Sequence, residues 1–107
     1  MSREMEVEPT EVARLLKDKT IKLLDVRTAG EYQIAHIDGG VLVDQALVDE
    51  IVTTWPKDTE IVTLCHHGIR SLDAAAFLRA HGFTNVRSMR GGIAVWSAVV
   101  DPKVPQY

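Results

Sequence analysis

Short apolar runs alternate with helix-patterned segments along the whole chain, and this alternation is the strongest constraint on its fold. "IKLLDV" (residues 21–26) and "IVTLC" (residues 61–65) are compact, apolar and bounded by polar residues, so each reads as a buried strand. Residues 41–43 and "NVRSM" (residues 85–89) supply two more brief strands, and Met5 to Val7 a short edge strand. Between them lie helical segments. Pro9 suits the first position of a helix, where its missing N–H costs nothing, and Val12, Leu15 and Leu16 follow on one face. Thr28 with Glu31 three residues on is a capping-box pattern that predicts a short helix. A turn falls at Asp38-Gly39-Gly40, and residues 46–53 read as a helix. Residues 71–81 predict another, with Ala74, Phe77, Leu78 and His81 sharing a face and Gly82 as its left-handed stop. A glycine pair, Gly91-Gly92, opens a last helical segment that holds Trp96. Strands alternating with helices predict an α/β fold: a parallel sheet covered on both faces. The 107 residues fit one domain, residues 1–107, with a modest core.

Ligands of such sheets sit outside the carboxyl ends of the strands. Cys65 stands at the carboxyl end of the best central strand, and it is the only cysteine in the chain. One cysteine excludes an internal disulfide and a multi-cysteine zinc site, and it leaves no second thiol to resolve an oxidised or sulfur-loaded Cys65. The connection "CHHGIR" runs from it toward a helix. Curled around the sulfur, its N–H groups form an anion-binding nest, and the helix that follows adds the positive end of its dipole. Gly68 permits a tight curl, Arg70 brings a permanent charge able to grip an oxyanion, and Ser71 opens the helix. These features favour the thiolate and predict a Cys65 pKa below that of a free cysteine. The blander reading is that Cys65 is a small buried hydrophobe.

The neighbouring residues carry bland readings too. His66 and His67 read as exposed loop side chains that raise the local positive charge; adjacent histidines suit one metal poorly, so neither a metal nor a cofactor is expected. Asp25 reads as an acid closing its strand and Arg27 as a partner of Glu31, both as structural support. Trp96 reads as core, Gly91 and Gly92 as a turn with close backbone approach, and His36 as a hydrogen-bonded structural residue.

Charge narrows the function classes. Twelve Lys and Arg against fifteen Asp and Glu give a net charge of -3, with no basic block, so no nucleic-acid partner is expected. No apolar run reaches membrane-spanning length, and the opening "MSREMEVEPTEV" is acidic where a signal peptide is basic and then apolar. A cytoplasmic, monomeric protein is expected.

Three motifs in order, "LLDVRTAGEYQIAHIDGG", "CHHGIRS" and "RGGIAVW", resemble the signatures of the rhodanese (thiosulfate sulfurtransferase) family in its single-domain form. The resemblance implies a five-stranded parallel sheet and double-displacement chemistry, in which a donor such as thiosulfate gives its outer sulfur to Cys65 and an acceptor then removes it. It assigns Cys65 as catalytic, the loop His66, His67, Gly68, Ile69, Arg70 and Ser71 as the cradle for substrate and persulfide, and Asp25 and Arg27 as support for that loop. Ala35 stands where the family often has glycine, and the stretch after Gly40 lacks its usual Asn-Ile-Pro. Two other functions stay open. Phosphatases or arsenate reductases of the related fold place five residues between cysteine and arginine, where this chain has four, which predicts a nest too narrow for a tetrahedral phosphate. Rhodanese-like domains that only bind partners typically lack the cysteine. The cationic loop predicts thiosulfate turnover above mercaptopyruvate turnover, and the acceptor is left open among cyanide, thiols, thioredoxin and glutathione.

Overall fold

A computed structural model describes residues 5–107; the part of the acidic opening at residues 1–4 lies outside them. Ten elements alternate along it: β1 (Glu6–Val7), α1 (Pro9–Lys17), β2 (Lys22–Asp25), α2 (Ala29–Ile34), β3 (Gly40–Leu42), α3 (Gln45–Thr54), β4 (Ile61–Leu64), α4 (Ile69–Ala80), β5 (Val86–Met89) and α5 (Gly92–Val99). The strands form one five-stranded sheet in the order β1-β5-β4-β2-β3, with every pairing parallel. This is the α/β architecture the alternation predicts.

Each face of the sheet has its own core. Val62 and Leu64 of β4 point to one side, where they meet Val12 of α1 and Ile93 and Trp96 of α5. Ile61 points to the other, where Ile51 of α3 and Ala75 and Leu78 of α4 cover it. Successive strand residues face opposite ways, so a central strand buried on both faces must be apolar throughout, as β4 nearly is. Its one polar residue, Thr63, is fully buried and donates to the Ser71 carbonyl at 2.7 Å.

Local signals act as the sequence predicts at several ends. Pro9 occupies the first turn of α1. Thr28 and Glu31 form a reciprocal capping box on α2. Gly82 adopts φ +97° after α4, and Phe83 folds back, its N–H on the Leu78 carbonyl and its ring buried in the core.

α4 differs from the expectation in two ways. It opens at Ile69, not Ser71, with Gly68 in the left-handed conformation as its N-cap. Its buried face is Ser71, Ala75 and Leu78, while Phe77 is 45% exposed and His81 is exposed beside it. The cause is Ser71. Its hydroxyl lies 2.7 Å from that of the buried Ser88 on β5 and 3.3 Å from the Cys65 sulfur. Holding that polar contact turns the small residues of α4 toward the sheet and the phenyl ring outward.

Candidate active site

β2 and β4 end level with one another, Asp25 opposite Leu64. The Val26 N–H still reaches the Leu64 carbonyl at 2.9 Å, and the two chains then diverge. Cys65 therefore emerges at the sheet's carboxyl edge beside Val26, at the place where this class of sheet binds ligands.

The loop wraps the sulfur. The Gly68 N–H reaches Sγ at 3.1 Å and the Ser71 N–H at 3.3 Å. These are the N-cap and third-position amides of α4, which a capping side chain normally satisfies. Here the cysteine sulfur takes that role, so it collects the unpaired donors and the positive end of the helix. When Cys65 is a thiol, its S–H faces the Ser71 hydroxyl; when it is a thiolate, that hydroxyl donates to the sulfur and is in turn backed by Ser88. Burial pushes the Cys65 thiol up, but the Ser71 hydroxyl and the amides of Ser71, Gly68 and His67 outweigh it, and the net result is below the ordinary value.

The loop's carbonyls are held from behind. Ile93 N–H donates to the Cys65 carbonyl at 2.8 Å and Ala94 N–H to the His66 carbonyl at 3.1 Å. A Cβ on Gly92 would lie 2.4 Å from both carbonyl oxygens, so only glycine allows α5 to approach this closely. Gly68, at φ +95°, has a similar constraint, since a Cβ there would sit 3.0 Å from the Gly91 nitrogen. The family-like glycine pair is thus the clamp that leaves the loop's N–H groups facing inward.

Arg27 does not take the Glu31 carboxylate expected as its partner. Arg27 pairs with Asp25 through Nε at 2.9 Å and Nη2 at 2.7 Å, and it also donates to the Ala35 carbonyl. Glu31 instead binds Arg70, at 2.9 and 3.0 Å, in a two-pronged contact. Of Glu31, Arg27 touches only the backbone carbonyl. The reason is depth: Arg27 leaves the end of β2 inside the fold, where Asp25 already lies buried, whereas the Glu31 carboxylate borders solvent. The Arg70 hydrogen bonds hold the Glu31 carboxyl well below the usual carboxylate range, and Glu31 in turn raises Arg70. The mouth is accordingly less cationic than its composition suggests. Glu31 occupies one N–H on each Arg70 Nη and leaves the other N–H groups for a ligand.

His66 and His67 stack on one another with centroids 4.0 Å apart, and His66 stacks on Tyr107 at 3.9 Å. Ile69 is exposed at the start of α4. Asp25 and Arg27 do not bond the loop directly. Their connection to it runs through Tyr107, whose hydroxyl accepts from Arg27 Nη1 at 2.9 Å and donates to Glu31 at 2.8 Å. Among the described residues no cluster of three His, Cys, Asp or Glu side chains could hold a metal. Trp96 is 94% buried by its 6% exposure, and His36 Nδ1 lies 3.1 Å from the Tyr32 carbonyl, as their structural readings require. Sequence reasoning assigned no site role to Ser88, Glu31 or Tyr107. Only Glu31 carried a signal, as a member of the capping box and of the first family-like motif.

Comparison with known proteins places the chain in a family. The rhodanese-like domain family model matches residues 8–99. A thiosulfate sulfurtransferase GlpE from Pseudomonas savastanoi pv. phaseolicola is 34% identical over 98 residues, covering 92% of each chain. A probable adenylyltransferase/sulfurtransferase MoeZ from Mycobacterium tuberculosis is 33% identical over 91 residues, which span 83% of this chain and 23% of that one. Among solved structures, the Alr3790 protein from Anabaena sp. superposes with a TM-score of 0.80 at 25% identity, covering 94% of this chain and 82% of that one. The human single-domain sulfurtransferase TSTD1 shares the fold with a TM-score of 0.78 at 22% identity, covering 89% and 96%. With a sheet of the same kind, a clamped cysteine loop and a family match over most of its length, the chain belongs to the rhodanese-like family.

Proposed function

We propose that the protein is a rhodanese-type sulfurtransferase that carries a sulfane sulfur on Cys65, with thiosulfate as donor and a thiophile such as cyanide or a thiol as acceptor. The observation that carries this reading is the set of N–H and O–H donors converging on Sγ. The Cys65 thiolate attacks the outer sulfur of thiosulfate. The sulfur–sulfur bond of the donor breaks, and sulfite leaves with its electron pair. The negative charge moves to the outer sulfur of a Cys65 persulfide, at the mouth of the same donor set, with the remaining Arg70 N–H groups beside it. Cyanide then attacks that outer sulfur, thiocyanate departs, and the thiolate returns to its cradle. A thiol acceptor, including glutathione or thioredoxin, follows the same path and leaves as a persulfide.

No residue of the chain need gain or lose a proton in the thiosulfate half-reaction, so the loop acts by stabilising charge. This distinguishes it from phosphate hydrolysis, which calls for a general acid at the leaving group. Intact-protein mass spectrometry after thiosulfate treatment tests the proposal. A gain of one sulfur atom is expected, absent in Cys65→Ser and discharged by cyanide. No gain with thiosulfate, mercaptopyruvate or polysulfide would leave a domain that binds partners without transferring sulfur, and Cys65-dependent hydrolysis of p-nitrophenyl phosphate would place the protein with the phosphatases.

A further inference from the structure

One side chain touches both walls of the mouth. On one side, the Tyr107 hydroxyl donates to Glu31 Oε2 at 2.8 Å and accepts from Arg27 Nη1 at 2.9 Å. Glu31 is the carboxylate that holds Arg70. On the other side, the Tyr107 ring lies 3.9 Å from the His66 ring at an interplanar angle of 10°. His66 follows Cys65 directly and stacks on His67 in turn.

The ring is placed there by an anchored segment. Val104 is buried in the core, its carbonyl accepting from Ser97 Oγ and its N–H donating to the Asp101 carbonyl. Residues 105–107 then run along the loop and enclose with it a cavity of about 230 Å³, whose other walls include His66, His67 and Ile93. Burial and the Glu31 bond raise the Tyr107 pKa against the opposing pull of Arg27, so the phenol keeps the proton it donates.

We propose that Tyr107 is a specificity-determining residue that sets the width of the Cys65 mouth, admitting a small inorganic sulfur donor and holding back a bulky organic persulfide. The proposal rests on the sulfur-transfer reading and adds to it the selection of donor. The ring supplies the barrier, and the hydroxyl supplies the alignment, because it fixes Glu31 and through it the direction of Arg70. In either transfer the Cys65 thiolate attacks the donor's outer sulfur; sulfite leaves from thiosulfate and a thiolate from the organic persulfide.

Two variants separate these parts. Rates of Cys65 persulfide formation are measured by intact mass with thiosulfate and with glutathione persulfide, each over a range of concentrations. Tyr107→Phe keeps the stacked ring and loses both hydrogen bonds. It is expected to raise the KM for thiosulfate about three- to tenfold with kcat unchanged, the scale of one net hydrogen bond. Tyr107→Ala removes the barrier. Its kcat/KM for thiosulfate is expected to fall while that for glutathione persulfide rises, shifting the ratio by at least about tenfold. A purely structural role would lower both rates and the melting temperature together and leave the ratio fixed, which would overturn the proposal, as would a Tyr107→Phe enzyme with the wild-type KM. Wild-type protein that accepts sulfur from neither donor would overturn the sulfur-transfer reading itself.

Discussion

Arg27 and Arg70 each grip a carboxylate with two N–H groups, yet one pair is sealed inside the fold and the other borders solvent. The Arg27 and Asp25 side chains are 0% and 1% exposed; those of Arg70 and Glu31 are 47% and 20% exposed. The difference decides what each pair does. A buried pair has lost its water and must satisfy every donor internally, so removing one partner strands a charge. Arg27 meets that demand through Asp25, the Ala35 carbonyl and Tyr107. An exposed pair gains little stability, because water competes and two long side chains must be ordered. Arg70 is therefore held at the mouth at little cost and stays able to turn part of its charge toward a ligand. The buried pair fixes the carboxyl end of β2, and the exposed pair, on the proposed function, serves the chemistry.

The largest expected effect breaks the buried pair. Asp25→Ala leaves the Arg27 guanidinium uncompensated and should lower unfolding stability by about 3–5 kcal/mol, measured by urea denaturation. A loss below about 1 kcal/mol, the exposed-pair scale, would erase the distinction between the two pairs.

Next in size is the exposed pair, read by activity. Arg70→Ala should change stability by no more than about 1 kcal/mol. The same variant should lose roughly 10- to 100-fold in kcat/KM for thiosulfate, the scale of a hydrogen bond to a charged group. Equal losses in folding and in catalysis would assign Arg70 a structural role.

The smallest effect is in acid. Hydrogen bonding to Arg70, aided by Thr28 and Tyr107, depresses the Glu31 carboxyl in the folded state. The stability it contributes is therefore fully present above the unfolded carboxyl value of about 4.3 and is lost only as pH falls through the depressed folded value. Carbon-detected NMR titration should show Glu31 still ionised at pH 4, and a midpoint at the unperturbed value would mean the pair does not persist in solution.

Much of this architecture is legible in the sequence, and the exceptions have a common cause. Strand runs, the Thr28–Glu31 capping box, the Gly82 stop and the buried Trp96 all depend on neighbours within one or two turns or on simple burial. The position of Cys65 follows from the strand pattern and the rule for parallel sheets. The sequence points to Ser71 as the start of α4 because Ser71 has the chemistry of an N-cap, but its hydroxyl is engaged by Cys65 and Ser88, and the sulfur caps the helix instead. The Arg70 contact with Glu31 joins residues 39 positions apart, and the Tyr107 contact with Glu31 spans 76. No local period encodes such contacts. They arise only once the sheet has brought β2, β4 and the segment after α5 to the same edge.

The central claim is that the loop holds Cys65 as a thiolate. The most direct test is the pH dependence of Cys65 alkylation by iodoacetamide, in the wild type and in Ser71→Ala. The account expects a midpoint below the free-cysteine value of about 8.5, moving upward in the variant as one hydrogen bond to the sulfur is lost. A wild-type midpoint at or above that value, unchanged by Ser71→Ala, would show that the loop does not stabilise the anion and would contradict the account.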